Sequence, residues 1–382
     1  MTTEPPAISP VGPSFPTDLG SIRSMIEYRF TLLDAYIDIN GLPTFLVAQE
    51  PVKEKFRELL RDLANHNLSA KIRRVSEKLA ISVFPKPNLG KPRKKINLVL
   101  FLATIGTVAA ASYYLLVFIV DPRLIVAPFA TLSLTWQIMI FAIAVLGIVG
   151  IHELGHVVAV RRHRMDASLP YFLPVPPPFP FGTFGAVISL RGPPVNRDQL
   201  FDLGFSGPLA GFLATLGVAI FVILTAPIVT QGEIAQLVAA KVLQSTAWPN
   251  DPLFLDLLGQ IGLRTVPAGH VIVYTQLMFA AEFGALITFL NLMPVWQLDG
   301  GHISRAVFGD KGHKIFALVA FGILLLAQYW GFAILLIVLM FLSRRPLEGL
   351  EPLDDISPLS NTRKVLFVLS LCILVLSSFI LL

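Results

Sequence analysis

Five consecutive residues could do chemistry together in this 382-residue chain: His152-Glu153-Leu154-Gly155-His156. Positions four apart lie on one face of a helix. In an H-E-x-x-H pattern both imidazoles can therefore reach one metal ion, and Glu153, beside the first, can reach a water at that ion. Nitrogen and oxygen donors in tetrahedral array suit zinc. A catalytic zinc needs a third protein ligand and an open position. The candidate is Asp299, in Asn291-Leu292-Met293-Pro294-Val295-Trp296-Gln297-Leu298-Asp299-Gly300-Gly301. Pro294 disrupts a helix, and Asp299-Gly300-Gly301 reads as a tight turn presenting the carboxylate from unwound backbone. Taken singly, each half has a plain alternative: H-E-x-x-H strings arise by chance, and an Asp-Gly turn is an ordinary exit from a helix.

The elements that must position these residues decide between the alternatives. The chain is 54% hydrophobic and 14% charged, with mean hydropathy +0.70, where soluble domains carry about 25% charged residues. Apolar runs suited to a bilayer cover 96–120, 136–160, 203–229, 271–293, 315–342 and 365–382. The run 315–342 reads as one tilted helix or as a hairpin broken at Gln328–Gly331. The charge rule favours the hairpin, because Arg344 and Arg345 then return to the cytoplasm. Lys91, Arg93, Lys94 and Lys95 before the first run, and Arg161, Arg162 and Arg164 after the second, place the N-terminus in the cytoplasm. The net charge of +5 thus sits at span ends, which speaks for a lipid bilayer and against nucleic acid. His152, Glu153 and His156 lie inside the second span. Ionisable groups are costly there and mark function.

Residues 170–190 are apolar yet rich in Pro and Gly, so a regular helix is ruled out. A re-entrant loop or short hairpin lining the site is expected, since irregular backbone at membrane depth survives only where protein or water shelters it. Within it, Phe184, Gly185, Ala186, Val187 and Ile188 are expected to form an edge strand that pairs with an unwound substrate. Before the spans, Val52, Phe56, Leu59, Leu60 and Leu63 recur at helical spacing after Pro51, which suits a first helical turn. Strand-like runs 44–47, 70–75 and 79–84 flank them. The expected architecture is a polytopic α-helical membrane protein of about six or seven transmembrane segments, with a re-entrant β/loop segment and a small N-terminal soluble α/β domain. The expected divisions are a disordered N-terminus over 1–19, a cytoplasmic soluble domain over 20–90 and a membrane-embedded domain over 91–382. No secretory signal is expected, since the first apolar run starts at Ile96. The lone Cys372 forms no intrachain disulfide.

A membrane-embedded H-E-x-x-H followed by N-x-x-P-x-x-x-x-D-G resembles the site-2 protease family of intramembrane zinc metalloproteases, peptidase family M50. The resemblance covers roughly 96–382. It includes Gly182–Ile188 and Gly207-Pro208-Leu209-Ala210-Gly211, and the front domain resembles the archaeal, cyanobacterial and plastid branch. It implies one catalytic zinc held by His152, His156 and Asp299, Glu153 as base, and Asn291 holding the substrate or its developing oxyanion. The implied activity is cleavage of transmembrane protein substrates in regulated intramembrane proteolysis; oligomeric state stays open.

Other residues read more plainly. Glu282 lines a water path or pairs within the bundle. His302, three residues after Asp299, reads either as a partner of the metal ligands or, the favoured reading, as an ordinary loop histidine, while His163, His270 and His313 read as solvent-facing at membrane borders. Gly207–Gly211 reads as close helix packing, and Trp136, Trp296 and Trp330 as interfacial anchors or packing. Three rival functions are a metal transporter, a membrane-anchored protease with its site in solvent, and a non-catalytic scaffold. Only a protease requires Glu153 once the metal is bound.

Overall fold

The structure is a computed structural model that describes residues 18–86, 94–115, 133–179, 181–188, 190–226, 228–233, 251–272, 276–326, 330–342 and 349–379. Expectations for 1–17, Lys91, Arg93, 116–120, Gln328, Arg344 and Arg345 lie outside these residues. The chain divides into two compact units. One comprises Met1–Gly90 with Gly192–Leu200 and Glu351–Leu359; the other holds the remainder.

In the first unit, Asp18 accepts the Gly20 N–H and starts helix α1 (Leu19–Glu27), which buries Ile22 and Ile26. Strands β1 (Leu32–Ile37), β2 (Pro43–Val47), β3 (Leu68–Val75) and β4 (Lys78–Pro85) form an antiparallel sheet in the order β1-β2-β4-β3. Helix α2 (Lys53–Asn65) buries the expected face, Phe56, Leu59, Leu60 and Leu63. It starts two residues after Pro51, so that proline precedes the first turn instead of occupying it. Alternation along β3 sends Leu68, Ala70 and Ile72 into a core with Phe45, Ile81 and Val83. The sequence reading missed α1 and β1. β1 is exposed along most of its length and lacks the half-buried alternation that signals a strand.

The unit also takes in two segments that the sequence reading assigned to the membrane part. Ile72 N donates to Leu353 O (2.9 Å), so the 353 segment runs alongside β3, and Leu353 N donates to Pro194 O (2.9 Å) and Asp354 N to Val195 O (2.8 Å), so the 195 segment pairs in turn with the 353 segment. Arg73 locks the arrangement through Leu353 O (2.9 Å), Pro352 O (3.1 Å) and Glu351 (2.8 Å).

The second unit is mainly helical: α3 (Lys94–Tyr114), α4 (Leu134–Arg162), α5 (Arg197–Thr225), α6 (Leu253–Ile261), α7 (Gln276–Leu292), α8 (Asp299–Leu326), α9 (Trp330–Leu342) and α10 (Asn361–Leu376). Among the described residues, α3, α4 and α5 are long and apolar enough to cross a membrane, and α7 is a shorter apolar helix. Their outward faces carry Leu98, Val99 and Leu102, then Ile143, Leu154 and Val158, then Leu213 and Leu224, all exposed. Apolar surface of this extent is foreign to a water-soluble monomer. The expected span 271–293 is shortened, because His270–Ile272 is strand β8, paired with β7 (Ile228–Thr230). On either side of the interruption in 315–342 are α8 and α9, and Leu324 and Leu336 bury in one cluster with Phe289 and Met293. Gly309, at φ 71°, interrupts α8, a conformation L side chains resist.

The Pro/Gly-rich segment is a hairpin of β5 (Tyr171–Pro174) and β6 (Thr183–Val187). It is clamped to α3: Asn97 Nδ2 donates to Leu169 O (2.8 Å) and Pro170 O (2.9 Å), and Thr107 Oγ1 donates to Gly182 O (2.7 Å). Gly182 has φ +70° and lies so close to Thr107 and Val108 that no side chain fits. Phe181 stacks on Phe283 at 4.1 Å, within a cluster containing Phe141, Val145 and Val149 of α4.

Candidate active site

Helix α4 buries Phe141, Val145, Ile148, Val149, His152, Glu153, His156 and Ala159 along one stripe and turns Ile143, Ile151, Leu154 and Val158 outward. That is helical periodicity, with the H-E-x-x-H residues on the inward side. His152 is 3% exposed and Glu153 6% exposed, so the polar groups have been withdrawn from lipid and must be satisfied by protein.

Asp299 meets the two imidazoles from α8. His152 Nε2 lies 3.2 Å from Asp299 Oδ2 and 3.2 Å from His156 Nε2; the third side, His156 Nε2 to Asp299 Oδ2, is 3.3 Å. Tetrahedral zinc with bonds of about 2.0–2.1 Å holds its ligand atoms about 3.3–3.4 Å apart, so the triangle has the right size for such an ion. Protonation agrees. His156 Nδ1 lies 2.8 Å from Leu203 O, which can only accept, so Nδ1 carries a proton and Nε2 is the nitrogen left to face an ion. Three atoms that can each ligate a cation, His152 Nε2, His156 Nε2 and Asp299 Oδ2, then converge on one point. That is the donor set of a cation site, and the residues fit zinc.

Two details depart from the sequence reading. Asp299 is the first residue of α8 and does not sit on an unwound turn. The unwound stretch precedes it, over Met293–Leu298, with Val295 N donating to Met293 O (2.7 Å). Gly300 and Gly301 are needed because the start of α8 presses on the carbonyls of Leu292 and Trp296, leaving no room for a Cβ. The glycines of α5 do pack, as expected, but against the triad itself. A Cβ on Gly207 would overlap the His156 ring, one on Gly211 would sit 2.8 Å from His152 Nδ1, and Gly204 faces Asp299 O and His302 Cβ.

Asn291, at the end of α7, reaches His152 Nε2 at 3.4 Å. Glu153 is not part of the triangle but lies within electrostatic reach of His156 and Asp299. The run Phe184–Ile188 covers the last four residues of β6 and one residue beyond it. Phe184 and Val187 are exposed, Gly185 is buried, and in this two-stranded sheet β5 pairs one edge of β6. Three histidine readings are corrected. His302 is helical, in α8, with its Nδ1 buried and unpartnered among the described residues. His313 is fully buried and bonds Ser304 Oγ at 2.6 Å. His163 is partly buried and bonds Asp202 at 2.7 Å. The sequence carried no signal for these partners, since nothing in local pattern pairs Asp202 with His163 or selects Leu203 O for His156.

The model of peptidase family M50 matches residues 140–338, just over half of the chain and all of the triad. The chain belongs to peptidase family M50. Among curated proteins it is similar to the probable chloroplastic zinc metalloprotease EGY1 of Oryza sativa subsp. japonica, 28% identical over 62% of this chain and 39% of that protein. EGY1 of Arabidopsis thaliana is 28% identical over 74% of this chain and 52% of its own length. EGY2 of Arabidopsis thaliana is 30% identical over 53% of this chain and 35% of its own. The chain thus spans only a third to a half of these relatives. No solved structure gives a significant match.

Proposed function

We propose that the chain is a zinc metalloendopeptidase that hydrolyses peptide bonds within or near transmembrane segments of membrane-protein substrates, as in regulated intramembrane proteolysis. The observation that carries this is the 3.2–3.3 Å triangle of His152, His156 and Asp299, built on a helix long and apolar enough to cross a bilayer. The names of the relatives, each a zinc metalloprotease, agree with it. In this reading the protein is a multi-pass membrane protein of about six or seven segments with a cytoplasmic N-terminus, and residues 20–90 form a regulatory or docking domain.

His152, His156 and Asp299 would hold the ion. When bound, zinc supplies Lewis acidity, polarising a carbonyl and making water a stronger acid. Glu153 takes the proton of the attacking water and returns it to the leaving amine, the work of a positioned general base and acid. Leu203 O holds the His156 ring by its Nδ1–H, so the imidazole does not rotate out of the site. In this reading Asn291, whose Nδ2 lies 3.4 Å from His152 Nε2, donates toward negative charge that develops on the substrate oxygen. A transmembrane substrate hides its carbonyls in helical hydrogen bonds, and freeing them in lipid costs several kcal/mol each. Among the described residues β5 pairs only one edge of β6, and in this reading the other edge supplies replacement bonds to a locally unwound substrate.

The test is metal analysis with cleavage of a model transmembrane substrate, wild type beside Glu153→Ala. The variant keeps zinc and loses cleavage by about 10²–10⁴-fold. Undiminished cleavage by the variant, or a wild type without zinc, removes the proposal.

A further inference from the structure

We propose that Asp202 is a positioning residue, gripped by His163 and Arg363 so that the neighbouring Leu203 carbonyl stays on His156; this rests on the zinc-protease reading above. Asp202 lies in α5. His163, just past the end of α4, bonds its Oδ2 at 2.7 Å, and Arg363 of α10 bonds Oδ1 through Nε at 2.7 Å and Oδ2 through Nη2. Arg363 is itself fixed by Nη1 to Ser360 Oγ at 2.9 Å. All three side chains are 15–18% exposed. A bidentate guanidinium–carboxylate pair is geometrically strict, so three helix ends are tied at one carboxylate.

The location matters more than the strength of the tie. α4 and α5 run antiparallel with matched contacts: Gly211 on His152, Gly207 on His156, Leu203 O on His156 Nδ1, then Asp202 on His163. The glycines let the helices approach closely but are featureless and permit sliding or rotation. A one-residue slip turns α5 by about 100° and takes Leu203 O away from the imidazole. Asp202 is the charged, directional contact in this series, adjacent in sequence to the carbonyl that sets the His156 tautomer. Groups that orient a metal-binding histidine are worth about 10–100-fold in metal affinity or activity. One step further out, Asp202 should act near the lower end of that range.

The experiment uses the full chain in detergent. Zinc dissociation is measured by chelator competition, kcat and KM on a transmembrane substrate, and unfolding on the metal-free protein. Asp202→Asn should weaken zinc binding about tenfold and lower kcat with KM unchanged, while the metal-free protein unfolds near the wild-type temperature. Asp202→Glu should recover part of the affinity. Should Asp202→Asn not fold, His163→Gln removes one of the two grips and should show a smaller weakening of the same kind. Zinc affinity at the wild-type level in these variants overturns the assignment, as does a loss that merely follows the unfolded fraction. A wild type with no zinc affinity would instead overturn the underlying function along with it.

Discussion

Replacing Gly207 by alanine tests the packing that holds the site. An ideal Cβ at 207 falls 2.6 Å from His156 Cδ2 and closer still to Nε2 and Cε1. Carbon contacts are comfortable at about 3.5–4.0 Å, so either the imidazole or helix α5 must move by about 1 Å. The ring is tethered by its Nδ1–H to Leu203 O on that same helix, and metal–ligand distances tolerate only about ±0.2 Å. Overpacking costs about 1–3 kcal/mol. If this falls on the zinc-bound state, affinity drops by about 5- to 150-fold at 1.4 kcal/mol per decade. Gly217→Ala on the same helix is the control: a Cβ there meets nothing within 4 Å, and removing a helical glycine favours the helix by up to about 1 kcal/mol. Chelator competition on both variants gives the answer, with cleavage of a transmembrane substrate in parallel. Zinc affinity within twofold of wild type for Gly207→Ala, or an equal loss for Gly217→Ala, would refute the reasoning.

Two further outcomes follow from the geometry. Val187→Glu, on the exposed side of β6, should leave zinc content unchanged and abolish cleavage, because it puts a charge where an unwound apolar segment is to pair; normal turnover ends the substrate-strand idea. Arg73→Ala removes the bonds to Glu351, Pro352 O and Leu353 O and should loosen the added segment by about 1–3 kcal/mol. Hydrogen exchange at the Ile72 and Leu353 amides should speed up accordingly, and unchanged protection there speaks against the clasp.

Much of the site was legible because it is written in local spacing. Four-residue separation of two histidines on an apolar helix has one geometric meaning. A lone aspartate beyond a helix-breaking proline is a natural partner at the same depth. The proline and glycine content of 170–190 forbade a helix, and a hairpin resulted. The amphipathic face of α2 and its flanking strands could be read from period alone. Where the reading failed, the governing contacts were remote. Asp299 begins a helix, not a turn, because Gly300 and Gly301 let it nest on Leu292 and Trp296 carbonyls. The span expected from 271 starts later because His270–Ile272 pairs with Ile228–Thr230, about forty residues back.

By itself, then, the amino-acid order determined which side chains share a face, where the chain becomes apolar enough for lipid, and which residue types could hold a divalent ion. Tertiary structure alone decided what opposes each face: that glycines of α5 lie against His152 and His156, that Leu203 O fixes one imidazole, that Asp202 draws in His163 and Arg363, and that the segment near 353 lies between β3 and the segment near 195. Periodicity fixes the direction of a side chain relative to its own helix axis. It is silent on the register between two helices, which depends on close approach and directional bonds between residues up to 161 positions apart.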